Sequence, residues 1–176
     1  PCTMATGASL GVKPGHSYRC VSLASPPGAY YKEGLNPGRI YGEDGLTRAA
    51  PGGTGAIKCG GNYAASLLGQ VKAHEMGYSQ VLWPDGAERR YVEEIGAMNC
   101  VIVVDGEVLT APTATRTVLP AIPRASCIQP TPHCGDTPRE PRIPILLSPA
   151  AGPPGRPAVL QAPGIAAVAR PAILLP

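Results

Sequence analysis

The sequence predicts an α/β fold. Three stretches rich in β-branched and apolar residues predict strands, namely "YRCVSLA" (18–24), "SQVLW" (79–83) and the longer "CVIVVDGEVLTAP" (100–112). A helical pattern lies between the first two of them. With 176 residues the chain has the length of about one domain, and its 44% of apolar residues can supply a core.

The segment after the first strand is loop-rich, because prolines and glycines interrupt residues 25–45. The sequence then predicts a helix over residues 63–76, with Asn62 as its N-cap and Gly77 as its stop. The helical apolar stripe consists of Ala64, Leu67, Leu68 and Val71.

A turn and a hairpin follow the helix. The strand "SQVLW" ends at the turn "PDG" (84–86). Residues 100–112 comprise two β-rich runs joined by Asp105-Gly106, a dipeptide suited to a type I′ turn. These elements complete the part of the chain in which local patterns are consistent.

The C-terminal part has a different character. Fourteen of the 22 prolines lie at or beyond Pro120, and no aromatic residue follows Tyr91. Each proline removes a backbone donor and fixes φ, so neither a helix nor a central strand is expected to persist. We therefore divide the chain into a domain over residues 1–126 and an irregular or disordered tail over 127–176, rich in Pro, Ala and Arg.

Composition excludes several function classes. The formal charge of +3 is mild and no block of like charges occurs, so neither a nucleic-acid nor a membrane partner is expected. One Trp, seven Tyr and no Phe also argue against base stacking. No apolar stretch approaches the roughly 18 residues of a membrane helix. The first fifteen residues show no secretory signal pattern.

Cysteine usage indicates a reducing compartment. The six cysteines, at positions 2, 20, 59, 100, 127 and 134, are scattered and form no CxxC motif. A cytoplasmic location is therefore expected. His133 and Cys134 lie near Cys127 but fit no zinc pattern, so no metal site is expected.

Lys58 lies among glycines directly before the predicted helix, in "GGTGAIKCGG" (52–61). Glycine serves where φ must be positive or where another group approaches the backbone closely. The P-loop pattern fails because Lys58 follows Ile57 and precedes Cys59, and the dinucleotide pattern fails because Lys58 occupies its third glycine position. A solvated surface lysine and a Schiff-base lysine, whose amine needs room for a flat cofactor, are the two interpretations that stay open.

Three segments together resemble the branched-chain amino acid aminotransferases, which are class IV pyridoxal-phosphate enzymes. They are "GGTGAIKCGGNYAASLL" (52–68), "QVLW" (80–83) and "ERRYVEEIGAMN" (88–99). The stretch "LGVKPGHSYRCVSLASPPGAYYKEG" (10–34) is also similar, and "EVLTAP…TVLPAIPRAS" (107–126) is similar less closely. The resemblance implies a fold-type-IV α/β domain, the first part of a large domain that binds pyridoxal 5'-phosphate.

The resemblance assigns the ring end of the cofactor to three residues. Lys58 matches the lysine that holds pyridoxal phosphate as an internal aldimine and then acts as general acid and base. Tyr63 matches the tyrosine that hydrogen-bonds the phenolic oxygen. Glu94 matches the carboxylate that keeps the pyridine nitrogen protonated, whereas its neighbour Glu93 is expected to point to the other face of a strand.

The resemblance also assigns the remaining contacts. Ala97 stands where the family makes cofactor and substrate contacts, with at best a backbone amide to offer. Arg48 matches an arginine before the glycines, either near the phosphate or in a surface salt bridge. At the phosphate loop Ile122 retains its N–H, whereas Pro123 has none and Ala121 replaces the family's glycine.

The function implied is amino-group transfer from leucine, isoleucine or valine to 2-oxoglutarate, in a homodimer if the protein is complete. A D-amino acid aminotransferase or an aminodeoxychorismate lyase is the nearest alternative within class IV. Family members have a smaller N-terminal domain and further C-terminal segments, so a fragment is expected. A non-catalytic truncated remnant, with a tail translated in a shifted reading frame, is the alternative from another class.

Overall fold

The computed structural model describes six stretches of the chain, residues 1–26, 38–104, 107–128, 139–145, 158–160 and 166–169. The chain divides into two compact units, Pro1–Tyr30 and Tyr31–Pro176. In the first unit, strand β1 (Cys2–Ala5) pairs antiparallel with β2 (Tyr18–Val21). The strand predicted over residues 18–24 is thus confirmed for its first four residues.

In its described residues, the second unit contains one sheet and two helices. Along the chain its elements are β3 (Gly38–Gly42), α1 (Gly60–Glu75), β4 (Gln80–Pro84), β5 (Val92–Ile95), β6 (Met98–Val104), β7 (Glu107–Thr110), a 3₁₀ turn (Thr113–Thr115), α2 (Ile122–Ile128), β8 (Ala158–Leu160) and β9 (Ala166–Ala169). The strand order is β7-β6-β5-β4-β3-β8, and β9 pairs in parallel with β6. Strands β3 and β4 are parallel and connected through α1, whereas β4 to β7 are antiparallel neighbours.

Strand β3 corrects the prediction of a loop over residues 25–45. Ile40 pairs with Gln80 of β4 on one side and with Ala158 of β8 on the other. The glycines at 38 and 42 obscured this strand, because its pairing partners lie 40 or more residues away and leave no local signal. The side chains of Ile40 and Tyr41 alternate between the two faces of the sheet, as a strand requires.

Two apolar clusters hold this sheet together. One face carries Ile40, Leu82, Val92, Ile95, Cys100, Ile102, Ile143 and Ile145. On the other face, Val81 and Trp83 of β4 form a cluster with Ala73 of α1 and Tyr78, and Tyr41 and Leu46 pack against this cluster. Since both faces are covered, the central strand β5 is buried along its whole length.

Helix α1 begins three residues earlier than the sequence predicts. Cys59 is its N-cap, without a side-chain capping bond, and Asn62 lies inside the first turn. The predicted N-cap is therefore wrong. The predicted stop is confirmed, because the helix ends at Glu75 and Gly77 adopts a positive φ of 80°.

The apolar stripe of α1 lies mostly in solvent. Leu67, Leu68 and Val71 are 61%, 65% and 52% exposed. The helix instead turns small residues, Gly69 and Ala73, toward the sheet. Trp83 of β4 determines this choice, because a Cβ atom at position 69 would lie 2.6 Å from its Cη2 atom.

Tight connections link β4 to β7. Asp85, in the predicted "PDG" turn, accepts hydrogen bonds from the N–H groups of Glu88, Arg90 and Tyr91 at 2.7, 2.8 and 2.9 Å. The hairpin predicted over residues 100–112 is present as β6 and β7. Its predicted turn, Asp105-Gly106, lies outside the described residues.

Part of the proline-rich tail packs onto the sheet. Residues 139–145 make only isolated bridges, yet Ile143 and Ile145 are buried in the first cluster. The N–H of Val92 donates to the carbonyl of Ile143 at 2.8 Å. The boundary at residue 126 stays a prediction. Within the described stretches, neither helix is long and apolar enough to cross a membrane.

We predict that Gly69→Ala destabilises the fold. The methyl group would overlap the Trp83 ring, and such overpacking costs about 1–3 kcal/mol, which outweighs the gain of about 1 kcal/mol in helix propensity. Gly60→Ala is the matched control, because no atom lies within 4 Å of its added Cβ. Urea denaturation measures both. A Gly69→Ala variant as stable as Gly60→Ala would contradict the packing of α1.

Candidate active site

The loop before α1 is held by backbone hydrogen bonds between residues that lie three positions apart in sequence. The N–H of Gly53 donates to the carbonyl of Ala50 at 3.0 Å, and the N–H of Ile57 donates to the carbonyl of Thr54 at 2.9 Å. Gly52 adopts a positive φ of 81°, which favours glycine. These turns carry the chain directly to Lys58.

Asn62 fastens this loop to the helix. Its buried amide nitrogen donates to the carbonyls of Thr54 and Ile57, both at 2.8 Å. Its Oδ1 atom accepts the Thr54 hydroxyl at 2.7 Å. The residue that the sequence suggested as a cap thus fixes the segment that ends in Lys58.

Close packing explains why a glycine stands at position 55. A Cβ atom there would lie 2.4 Å from the carbonyl oxygen of Thr117 and 2.8 Å from the Cβ atom of Ala49. Only glycine allows the loop to pass so close to the segment that follows β7. At Gly60 and Gly61, by contrast, an added Cβ would meet only open space or the sulfur of Cys59 at 3.7 Å.

Lys58 and Tyr63 lie together at the start of α1. The Lys58 side chain is exposed, and its Nζ atom lies 4.8 Å from the centre of the half-buried Tyr63 ring. Among the residues that the structure describes, the Lys58 amine has no hydrogen bond or ion pair.

Glu94 is buried beneath this corner, with only 3% of its surface exposed. Its Oε1 atom accepts the N–H of Leu119 at 2.8 Å and the amide of Asn99 at 3.3 Å, and its Oε2 atom lies 3.3 Å from the guanidinium of Arg48. Burial raises the pKa of the Glu94 carboxyl, and Arg48, the Leu119 N–H and Lys58 each oppose that rise. Of these opposing influences Arg48 is the strongest and Lys58 the weakest.

Glu93 takes a different direction. Its carboxylate accepts the hydroxyl of Thr117, and it lines a small pocket with Asp85 and Arg142. Burial raises the pKa of the Glu93 carboxyl, and Lys58 is not among the charges that act on it. Of the two adjacent carboxyls, Glu94 is the one whose pKa the charge of Lys58 lowers.

Arg48 is buried in an ion pair, not at the surface. Its Nη1 atom faces Glu94, and its Nη2 atom donates to the carbonyl of Thr117. Its Nε atom is buried and has no hydrogen-bond partner among the described residues. Arg48 thus ties the strand β5 to the segment after β7.

Ile122 is the first residue of α2, and its side chain is 83% exposed. As the first helical residue, it has an N–H without a partner inside the helix. The same segment is fixed upstream, where Leu119 donates to Glu94, and downstream, where buried Arg124 donates to the carbonyl of Ala111 at 2.7 Å. Pro123 occupies the next position and adds no donor.

Ala97 is exposed in the two-residue turn between β5 and β6, next to the buried Gly96 with its φ of 57°. This turn makes Glu94 and Asn99 direct cross-strand partners. The motif that supplies Glu94 and Ala97 therefore also supplies Asn99, a partner of the buried carboxylate. Their spacing around a tight turn was the signal that could have identified Asn99.

No cluster of three potential metal ligands occurs in the described part of the chain. His133 and Cys134 lie outside it. The candidate site instead consists of the exposed amine of Lys58, the phenol of Tyr63 and the buried carboxylate of Glu94. A guanidinium and amide groups hold that carboxylate.

No protein-family model matches the chain. It is 46% identical to a probable branched-chain-amino-acid aminotransferase of Staphylococcus aureus N315 over 146 residues, which are 82% of this chain and 40% of the relative. It is 48% identical to branched-chain-amino-acid transaminase 1 of Bacillus subtilis, covering 82% of this chain and 41% of the relative. The chain therefore spans about two fifths of the length of these curated relatives.

Solved structures agree with these relatives. The branched-chain amino acid aminotransferase of Escherichia coli matches with a TM-score of 0.57 and 35% identity, covering 66% of this chain and 38% of that one. The enzyme of Thermoproteus uzoniensis, solved with norvaline, matches with a TM-score of 0.57 and 25% identity over 69% of this chain and 39% of that one. Over the matched residues the chain is a homologue of branched-chain amino acid aminotransferases, and the fold-type-IV α/β prediction is confirmed.

We predict that Asn62→Ala loosens the Lys58 loop. The change removes the three hydrogen bonds that join the buried Asn62 amide to Thr54 and Ile57, and each such bond contributes about 0.5–1.5 kcal/mol. We expect the free energy of unfolding to fall by roughly 2 kcal/mol or more, with faster proteolysis between residues 50 and 60. Ser66→Ala, which removes one local helix bond, is the control. Equal effects in the two variants would refute this role.

We predict a pH signature for Glu94. Because burial raises its pKa above the ordinary 4.5, the folded protein holds this proton to higher pH than the unfolded chain does. The resulting stabilisation is present at low pH and is lost as pH rises through the raised pKa. The stability of the parent relative to Glu94→Gln should therefore fall as pH rises from 4.5.

Urea denaturation at a series of pH values tests this. Glu75→Gln, on the exposed end of α1, controls for the change in net charge. If the parent gains stability relative to Glu94→Gln as pH rises, the direction of the Glu94 shift is wrong.

Proposed function

We propose that this chain carries the pyridoxal-phosphate site of a transaminase for leucine, isoleucine and valine, with 2-oxoglutarate as amino acceptor and Lys58 as the residue that holds the cofactor. One observation carries the proposal. The exposed Lys58 amine lies 4.8 Å from the centre of the Tyr63 ring, and its charge is the weakest of the influences that lower the pKa of the buried Glu94 carboxyl. The names of the relatives supply the substrate class.

The residues at the ring end fit a pyridine ring. A carboxylate offers about four acceptor positions, and donors from Leu119, Asn99 and Arg48 use three of those of Glu94. One position on Oε2 is left for a further N–H donor. The open space at Gly60 and Gly61 adds room beside the lysine.

When bound, pyridoxal phosphate supplies an electron sink for the bond that breaks at the substrate α-carbon. Glu94 would accept a hydrogen bond from the ring nitrogen and would keep it protonated. The Tyr63 hydroxyl would donate to the phenolic oxygen. Lys58 would hold the cofactor and would move the proton at the α-carbon of the substrate.

The phosphate end fits less well. Ile122 offers its N–H at the start of α2, but Pro123 has no N–H to add. The loss of one hydrogen bond to a charged group costs about 1.5–3 kcal/mol, which weakens cofactor retention roughly 10- to 100-fold. We expect the cofactor to bind weakly.

The missing phosphate donor favours a second candidate, a non-catalytic remnant of such an enzyme. Pro123 removes a phosphate donor. In this case the ring-end residues persist while turnover is lost, because rate falls steeply when reacting groups are misplaced. Adduct formation without transamination is its signature.

Substrate contacts, assembly and location belong to the same proposal. The backbone of Ala97, the exposed residue of the turn after β5, would contact the amino acid and 2-oxo acid substrates. We propose a family-like homodimer for the complete protein and a cytoplasmic location.

We predict that pyridoxal phosphate forms a covalent adduct on Lys58. After borohydride reduction, peptide mass spectrometry should find the pyridoxyl group on Lys58, and the visible absorbance should disappear in Lys58→Ala. Lys72→Ala is the matched control, because Lys72 is a partly exposed lysine of the helix that follows Lys58, and it pairs with Glu43.

Three results decide between the candidates. An adduct on Lys58 with formation of the branched-chain 2-oxo acid supports the transaminase. An adduct without turnover, even with saturating cofactor, supports the remnant. Labelling that survives in Lys58→Ala removes Lys58 from the role.

A further inference from the structure

The ion pair between Arg48 and Glu94 closes the buried side of the proposed site. Both side chains are buried, with 7% and 4% of their surfaces exposed, and Nη1 lies 3.3 Å from Oε2. The second guanidinium nitrogen donates to the carbonyl of Thr117. Arg48 therefore engages a strand residue and a loop residue at the same time.

The partners of Glu94 leave the carboxylate one orientation. Leu119 and Asn99 hold Oε1, and Arg48 holds Oε2. Asn99 is itself fixed, because its amide also donates to the carbonyl of Leu119 at 2.9 Å. Without Arg48 the carboxylate would keep only the donors on one oxygen and could rotate about them.

The ionisation of Glu94 also depends on Arg48. Burial favours the protonated form of Glu94, and the cation of Arg48 is the strongest influence against it. A protonated carboxyl would donate its own hydrogen to a ring nitrogen and could not stabilise a positive charge there. The ring contact therefore depends on a charge that Glu94 does not retain by itself.

We propose that Arg48 is a positioning residue, which holds the Glu94 carboxylate ionised and oriented for a ring nitrogen, and that it is not a phosphate ligand. Its Nη1 atom faces Glu94 and its Nη2 atom donates to the carbonyl of Thr117. A turn toward a phosphate would break the pair and leave Glu94 as an uncompensated buried charge. This inference rests on the proposed function and adds to it the residue that sets the state of Glu94.

Infrared spectroscopy of the protein without cofactor tests the charge directly. At pH 7 we expect Arg48→Met to show the carbonyl band of a protonated carboxyl that the parent lacks, and the band should vanish in Arg48→Met/Glu94→Gln. Arg19→Met, which changes an exposed arginine of β2, should match the parent. A parent that already shows the Glu94 band, or an Arg48→Met variant that lacks it, overturns the proposal.

The affinities for pyridoxal and pyridoxal phosphate separate positioning from phosphate binding. A positioning role predicts that Arg48→Met weakens adduct formation with both aldehydes by the same factor, roughly tenfold or more for one lost charge-assisted bond. A phosphate ligand would weaken binding of pyridoxal phosphate alone. A selective loss of that kind overturns the proposal.

Arg48→Lys keeps the test decisive if Arg48→Met does not fold. Lysine retains the positive charge but cannot serve Glu94 and Thr117 together. We expect no protonated-carboxyl band and an equal, smaller loss of affinity for the two aldehydes, and a loss confined to pyridoxal phosphate contradicts the assignment. If the parent forms no adduct on Lys58, the proposed function fails, while the infrared comparison still decides the role of Arg48.

Discussion

The buried carboxylate of Glu94 is the constraint on which the rest of the site depends. A carboxylate this deep is stable only when paired and hydrogen-bonded, so every element around it is arranged to supply a donor. Arg48 comes from the loop before the glycines, Asn99 from the neighbouring strand and the Leu119 N–H from the segment that leads into α2. One charge thus determines where three distant parts of the chain must meet.

The same requirement explains how the glycine-rich loop, residues 52–61, is packed. Thr117 lies next to this cluster because its carbonyl accepts Arg48, and Gly55 passes so close to that carbonyl that no side chain fits between them. Asn62 then closes the loop onto α1 and presents Lys58 beside Tyr63. The glycines therefore serve the packing of the loop against the anchored segment, and the position of the lysine is a consequence.

Local patterns predicted the elements whose signals are local. The hairpin of β6 and β7 and the stop at Gly77 were predicted correctly because short-range pairing and φ preference decide them. Strand β3 was missed because its partners are distant in sequence. The outward direction of Leu67 and Leu68 was not foreseen because it depends on the Trp83 ring, which no helical pattern reveals. The resemblance named Lys58, Tyr63 and Glu94, and their roles stay predictions. The partners that hold Glu94 emerged only from the strand register and the fold.

A crystal structure of the chain soaked with pyridoxal phosphate tests the central claim most directly. The account predicts electron density continuous from the Lys58 side chain into the ring, with the ring nitrogen within hydrogen-bonding distance of Glu94 Oε2 and Arg48 still paired with that carboxylate. Density that is absent from Lys58, or a Glu94 carboxylate turned away from the lysine toward the other face of the sheet, would contradict it.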